Sequence, residues 1–320
     1  MRFVVCGAGA VGGVIAARLH QGGHDVVGIA RGAHLERWSR FGLRLQTPGE
    51  DVIVDVPVLG HPRDARITED DVVVLAMKSQ DTHAALDDLA RCAPAATPIV
   101  CAQNGVSNER EAKERFTHVY GICVMCPTSF LDPGIVQASS SPITGILDIG
   151  CFPDGTDATA EAVAAALRAS TFESNAVPDI MRWKYAKLLA NLGNAVQAVC
   201  APDGAGELNR MVRDEGVAVL TAAGIAFASV EEDRSRRGEI LQSRPIDGAR
   251  RGGSSTWQSL ARGTGAIESD HLNGEIVRLG ALHDIATPAN SLIRDLACDA
   301  ARTGRSPGFL SASEVIAQLA

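Results

Sequence analysis

The sequence predicts an α/β protein: a doubly wound parallel sheet in its N-terminal part, followed by a second, all-helical domain. Three observations predict it. Short continuous apolar runs alternate with helical spacings through the first part of the chain, as expected for strands buried on both faces of a parallel sheet. A glycine-rich turn joins the first of these runs to the first helix. Beyond about residue 175 the strand signals give way to long helical patterns, so the expected domains are residues 1–174 and 175–320.

Taken in order, Phe3-Val4-Val5-Cys6 reads as a buried strand, Gly7-Ala8-Gly9-Ala10-Val11-Gly12 as the turn, and 13–21 as a helix opening from it. The run Val26-Val27-Gly28-Ile29-Ala30 completes a β-α-β unit. Each glycine has a use there. Gly7 turns the chain tightly off the strand, Gly9 lets backbone N–H groups approach a pyrophosphate, and Gly12 lets helix and sheet pack closely. The same turn binding nothing is the weaker reading, because the motif follows a strand and opens a helix. A Rossmann-like dinucleotide-binding domain is therefore expected. A unit that binds NAD usually ends its second strand in Asp or Glu, which holds the ribose 2′-OH. Here Ala30-Arg31 stands in that place, and a guanidinium suits a 2′-phosphate, so NADP(H) is the expected cofactor.

Helical spacing continues over 33–41, followed by two short strands, 43–45 and 52–56, paired as a hairpin around Pro48-Gly49. Asp71 to Met77 is a further apolar strand, then comes a helix over 82–93 and a strand over 98–102. Ligands of such sheets gather beyond the carboxyl ends of the strands. That rule selects Lys78 and Asn104 beside the glycine turn, although Lys78 also reads as a solvated loop cation and Asn104 as an Asn-Gly turn residue. Residues 118–149 read as strands and turns, and 158–169 as an alanine-rich helix.

In the second domain, 180–199 reads as one apolar helix with a polar exception. Lys184, Lys187, Asn191 and Asn194 recur at steps of three, four and three, on one helix face. Asparagine is a poor helix former, so a catalytic face is one reason for the stripe and a solvent face the other. Gly252-Gly253-Ser254-Ser255-Thr256 reads as a hydroxyl-rich helix start, either a cap or an anion cradle. Glu268 follows, before another apolar helix over 275–283. The segment 231–254 is charged and reads as helix and loop.

Composition narrows the partners. The net charge of −8 over 320 residues, with no long basic run, argues against a nucleic-acid surface. No stretch of about 18 apolar residues offers a membrane span, and the apolar N-terminus lacks the n-region of a signal peptide, so a cytoplasmic protein is expected. The eight cysteines include one C-x-x-C, Cys123 and Cys126, read as buried reduced thiols. No G-x-S-x-G elbow and no metal-ligand spacing occurs, so no metal is expected.

Together these residues make the chain resemble the ketopantoate reductase (2-dehydropantoate 2-reductase) family, over nearly its whole length. The resemblance rests on the order of Gly7 to Gly12, Arg31, Lys78 in Met-Lys-Ser-Gln, Gln103-Asn104-Gly105, Lys187-Leu188-Leu189-Ala190-Asn191, Ser254-Ser255, Glu268 with Asp270 and Asn273-Gly274, and Ile285 with Thr287-Pro288 and Asn290. It implies NADPH-dependent reduction of a 2-keto acid, 2-dehydropantoate to pantoate first, a step of pantothenate biosynthesis. By resemblance Lys187 is the general acid, Asn104 and Glu268 orient it and the substrate, Asn191 and Asn194 bind substrate, and Ser254 or Ser255 meets its carboxylate. Lys78 borders the nicotinamide and the carbonyl, and Glu215 ranks lower as a carboxylate near the site.

Departures concern the substrate. Ser259 stands where the family commonly has Asp, Thr264-Gly265-Ala266-Ile267 precedes Glu268 where the family has Arg-x-Thr, and Asn194 comes one residue early. Trp183 is separated from Lys187 by three residues where the family usually has one, which keeps Lys184 open as the acid and as the cation that lowers the Lys187 pKa. The alternatives are a D-2-hydroxyacid dehydrogenase for another branched or aromatic 2-keto acid and a dinucleotide-binding sensor without turnover. An apolar helical domain of this kind also suits a homodimer.

Overall fold

A computed structural model describes residues 1–130, 132–201, 204–248, 252–263 and 265–319; Thr264 of the departure noted above lies outside them. In chain order the strands are β1 (Arg2–Cys6), β2 (Asp25–Ile29), β3 (Leu43–Gln46), β4 (Asp51–Val54), β5 (Val58–Leu59), β6 (Asp71–Leu75), β7 (Ile99–Cys101), β8 (Val119–Met125), β9 (Thr128–Ser129), β10 (Ile135–Ala138), β11 (Ser140–Pro142), β12 (Gly145–Cys151), β13 (Phe172–Glu173) and β14 (Leu241–Ser243). The helices are α1 (Ala10–Gln21), α2 (Gly32–Phe41), α3 (Thr82–Ala90), α4 (Asn108–Lys113), α5 (Ala158–Ala169), α6 (Ile180–Asn191), α7 (Gly193–Val199), α8 (Gly206–Ala222), α9 (Val230–Arg237), α10 (Ser255–Ala261), α11 (Asn273–Leu282), α12 (Pro288–Thr303) and α13 (Ala312–Ile316).

The main sheet has eight strands in the order β13-β12-β8-β7-β6-β1-β2-β5. All its pairs are parallel except β12 against β8. The chain steps outward from β1 to β2 and then crosses to β6 on the other side, so the β1/β6 edge is the switch point at which such sheets bind ligands. Both faces are covered, which explains the unbroken apolar runs. Phe3 and Val5 enter one core with Trp38, Val14 and Leu147, while Val4 and Cys6 enter another with Leu75, Leu86 and Ile99. The hairpin expected around Pro48-Gly49 forms as β3 and β4, in a separate four-stranded sheet, β4-β3-β10-β9.

The packing forms two compact units. The first contains Met1–Asn104, Asn108–Lys184 and Val230–Arg251; the second contains Gly105–Ser107, Tyr185–Ser229 and Gly252–Ala320. The cut expected at 174/175 falls inside the first unit, because the chain beyond it stays on the main sheet, with Ile149 N donating to Asn175 O and Val177 N to Ile149 O, and because β14 pairs antiparallel with β11. The single helix expected over 180–199 is instead two, α6 and α7, separated at Leu192. Gly193 begins the second, where a Cβ would stand 2.6 Å from Asn209 Oδ1, and the neighbouring α8 is thereby seated close. The second unit is helical, with Leu188, Leu192, Val196, Val212, Ile276 and Ile293 in its interior. No helix among the described residues is long and apolar enough to cross a membrane.

Candidate functional site

In the first unit the residues expected to hold a dinucleotide stand at the carboxyl ends of β1, β2, β6 and β7. Gly7 has φ +80°, and a Cβ on it would stand 2.4 Å from Met77 N. At Gly12 a Cβ would stand 2.6 Å from Gly7 O and 2.9 Å from Ala76 Cβ. Packing therefore requires glycine at both positions. A Cβ on Gly9 would meet nothing within 4 Å, so there the turn presents bare backbone to open space. Ala8 is buried and its N–H donates to Ile29 O at 3.3 Å, whereas Ala10 and Val11 are half-buried at the start of α1. No side chain caps α1, which leaves the amides of its first turn to water or an anion. This cradle fits a pyrophosphate.

Arg31 directly precedes α2. Its side chain is 71% exposed, with Nη2 3.6 Å from Asp88 Oδ2, so screening keeps that contact weak. Lys78 and Asn104 are half-buried in the loops after β6 and β7.

Beneath those two loops lies a buried polar network. Gln103 Nε2 donates to Met77 O (3.0 Å) and to Thr82 Oγ1 (2.7 Å), and Thr82 Oγ1 donates to Asn108 Oδ1 (2.9 Å). Asn108 Nδ2 and Ser79 Oγ both donate to Asn104 O, at 3.0 and 3.2 Å. Lys184 closes the network. Its Nζ donates to Gln103 O (2.8 Å) and Ile122 O (3.2 Å) and lies 2.7 Å from Glu109 Oε1. Lys184 and Glu109 are buried, and burial pushes the Glu109 carboxyl up against the opposing pull of Lys184. Thr82, Asn108 and Glu109 were not singled out in the sequence. The density of polar residues from Gln103 to Glu109, directly after a buried strand, was the available signal.

In the second unit Lys187 and Asn191 lie on α6, Lys187 half-buried and Asn191 buried, and Asn194 lies on α7. Ser254 caps α10, accepting from Trp257 N (3.3 Å), and its Oγ donates to Asn194 O (3.2 Å). Ser255 is the first residue of α10 and half-buried. This unit thus brings Ser254 against Asn194. Glu268 is buried just before the short helical turn Ser269–His271.

Glu215 and Asn273 tie neighbouring helices together. Glu215 accepts from Ala289 N (2.8 Å), Asn290 N (2.9 Å) and Asn290 Nδ2 (2.8 Å), which clamps the start of α12. Asn273 Nδ2 donates to Asn290 Oδ1 (3.0 Å) and Leu192 O (3.2 Å). None of the eight cysteines forms a disulfide; Cys123 Sγ donates to Trp183 O and Cys126 Sγ to Thr144 O.

Comparison with known proteins agrees with this architecture. Residues 3–154 match the family model of ketopantoate reductase PanE/ApbA, and residues 179–299 that of its C-terminal part. A 2-dehydropantoate 2-reductase of Halobacterium salinarum is 31% identical over 95% of this chain and all of its own length. The crystal structure of a PanE/ApbA family ketopantoate reductase from Ralstonia eutropha is 28% identical with a TM-score of 0.79, covering 95% of this chain and 99% of its own. D-mandelate dehydrogenase, solved with NADH and anilino(oxo)acetate, has the same fold at 22% identity and a TM-score of 0.81, over 95% of this chain and 99% of its own. By fold, by the order of its motifs and by these matches, the chain belongs to the ketopantoate reductase family of oxidoreductases.

Proposed function

We propose that the protein reduces a 2-keto acid to the 2-hydroxy acid with NADPH, 2-dehydropantoate being the first substrate to test. The observation that carries this reading is a sorting of like residues. Lys184 is committed to Glu109 and to two main-chain carbonyls, and Glu215 to the start of α12, while Lys187 stands on α6 at the place that the family resemblance gives to the acid. This supports Lys187 over Lys184 as the proton donor.

The bound cofactor supplies a hydride to the substrate's carbonyl carbon. The glycine turn and the first turn of α1 hold its pyrophosphate, and Arg31 pairs with the 2′-phosphate. Negative charge builds on the carbonyl oxygen as the ketone is reduced; the Lys187 ammonium stabilises it and gives up its proton there. Asn104 and Glu268 orient the reacting groups, Lys78 borders the carbonyl, Asn191 and Asn194 bind the substrate, and Ser254 or Ser255 meets its carboxylate.

A second reading has one observation in its favour. Ser259 is buried and its Oγ donates to Ser255 O within its own helix (2.9 Å), so the acidic group common at this place in the family is absent. That favours a branched or aromatic 2-keto acid other than ketopantoate.

The test follows NADPH oxidation by the purified protein against a panel of both kinds of keto acid. Turnover is expected, and Lys187→Ala should lower kcat by about 10² to 10⁴. An active Lys187→Ala variant removes Lys187 as the acid. Tight NADPH binding without oxidation by any keto acid makes the protein a dinucleotide sensor instead.

A further inference from the structure

We propose that the buried Lys184–Glu109 pair is a positioning device for the reaction, setting the backbone on which Asn104 and Lys78 stand. The inference rests on the reading of the protein as a keto-acid reductase. The pair belongs entirely to the first unit, and neither residue has a part in the chemistry assigned above.

A buried ion pair gives little net stability, because desolvation offsets its attraction. What this one does have is direction. Lys184 Nζ spends two further hydrogen bonds on main-chain carbonyls, those of Gln103 and Ile122, at 2.8 and 3.2 Å. Gln103 O belongs to the peptide group that leads into Asn104. The carbonyl on the far side of Asn104 is held as well, by Asn108 Nδ2 and Ser79 Oγ. Asn104 is thus pinned by hydrogen bonds at both of its flanking carbonyls, and its side chain has a fixed base from which to project.

The same network reaches the neighbouring loop. Gln103 Nε2 donates to Met77 O, the carbonyl leading into Lys78. Glu109 stands in the first turn of the short helix α4, which packs on β8 and β7, and it holds the ammonium from the other side. Strand β8 makes room for the pair at Gly121, where a Cβ would stand 3.1 Å from Lys184 Cδ and 3.2 Å from Glu109 Oε1. A glycine that is not needed for its backbone conformation is here needed for the space beside an ion pair.

Orientation of groups held on such a base is worth large factors in rate, and a displacement near 1 Å reduces turnover by about 10². The test uses the whole protein. In the double variant Lys184→Met/Glu109→Leu both charges are replaced together, which spares the fold an unpaired buried charge but removes the donor to Gln103 O. Its kcat is expected to fall by about tenfold or more, with the Kd for NADPH, read by cofactor fluorescence, within about twofold of wild type. Gly121→Ala is the milder companion, crowding the pair while the strand keeps its conformation; a kcat about threefold lower at unchanged NADPH affinity is expected.

Wild-type kcat in both variants, or a parallel loss of kcat and NADPH affinity such as general loosening produces, overturns the proposal. Should the double variant fail to fold, Gly121→Ala decides by the same two outcomes. A wild-type protein that reduces no keto acid overturns the functional reading and this inference with it. An active wild type with unaffected variants overturns the positioning role alone.

Discussion

Single side chains in this protein take their meaning from what already holds them. Lys184 and Lys187 are three residues apart on α6 and identical in type, yet one donates to two carbonyls beside a buried carboxylate and the other is half-buried. Arg31 is the opposite extreme, 71% exposed and only loosely tied to Asp88. Such an arginine contributes little to stability, and its guanidinium can pair with a 2′-phosphate at small rearrangement cost. Arg31→Asp puts a carboxylate where a phosphate would bind, and where a ribose hydroxyl would instead find an acceptor. The ratio of kcat/KM for NADPH over NADH is expected to fall by at least about tenfold, since one lost charge-assisted pair is worth about 1.5–3 kcal/mol. Steady-state kinetics with both cofactors measures it, and an unchanged ratio refutes the assignment of Arg31 to the 2′-phosphate.

Helices and strands show which parts of the sequence were legible and why. Helix α5 forms over Ala158–Ala169, as its alanine-rich spacing predicts, with Asp157 capping it by accepting from Ala160 N. Strands β1 and β6 were readable because burial on both faces leaves an apolar run without a break. The two- and three-residue strands β13 and β14 were not, since so short a segment carries no periodicity and forms only because a partner edge is present. The break at Leu192 was hidden for a related reason: Asn191 and Gly193 weaken a helix, but what makes glycine necessary there is the close approach of Asn209, a tertiary partner. Tertiary partners also decide Glu215. Family resemblance ranks it low as a carboxylate near the site; in the fold it takes three donors from the start of α12. Glu215→Ala leaves those donors without their acceptor and is expected to lower stability by about 1.5–3 kcal/mol. Urea unfolding of variant and wild type checks this, and NADPH affinity should be unchanged because the clamp lies in the other unit from the glycine turn.

Taken as a whole, the chain does not build its two units one after the other. It touches the second over Gly105–Ser107, leaves the first unit again after Lys184 to build the second, returns to the first over Val230–Arg251, and then completes the second. That return asks for an anchor, because a charged segment without a strong apolar stripe has little hydrophobic reason to dock. Asp148 supplies one. Buried in β12, its carboxylate accepts from Arg236 Nε and Nη2, both at 2.7 Å, and from Asn175 N at 2.8 Å. The bidentate pair fixes α9, and the antiparallel pairing of β14 with β11 continues the attachment, ending with Arg244 N donating to Ser139 O at 2.8 Å. Arg236→Ala removes the cation and leaves a carboxylate whose side chain is only 5% exposed. Breaking a buried pair in this way destabilises by about 3–5 kcal/mol unless the surrounding segment opens to admit water. Opening is the expected outcome here, since Val230 and Ile240 are exposed and only Leu241 and Ile246 among the apolar side chains of α9, β14 and their flanks pack down. Limited proteolysis should then cut the variant within 230–248 well before wild type, and Asp148→Asn in the same chain, by removing the stranded charge, should restore much of the resistance. Equal resistance of Arg236→Ala and wild type would mean that β14 alone suffices to hold the returning segment in place.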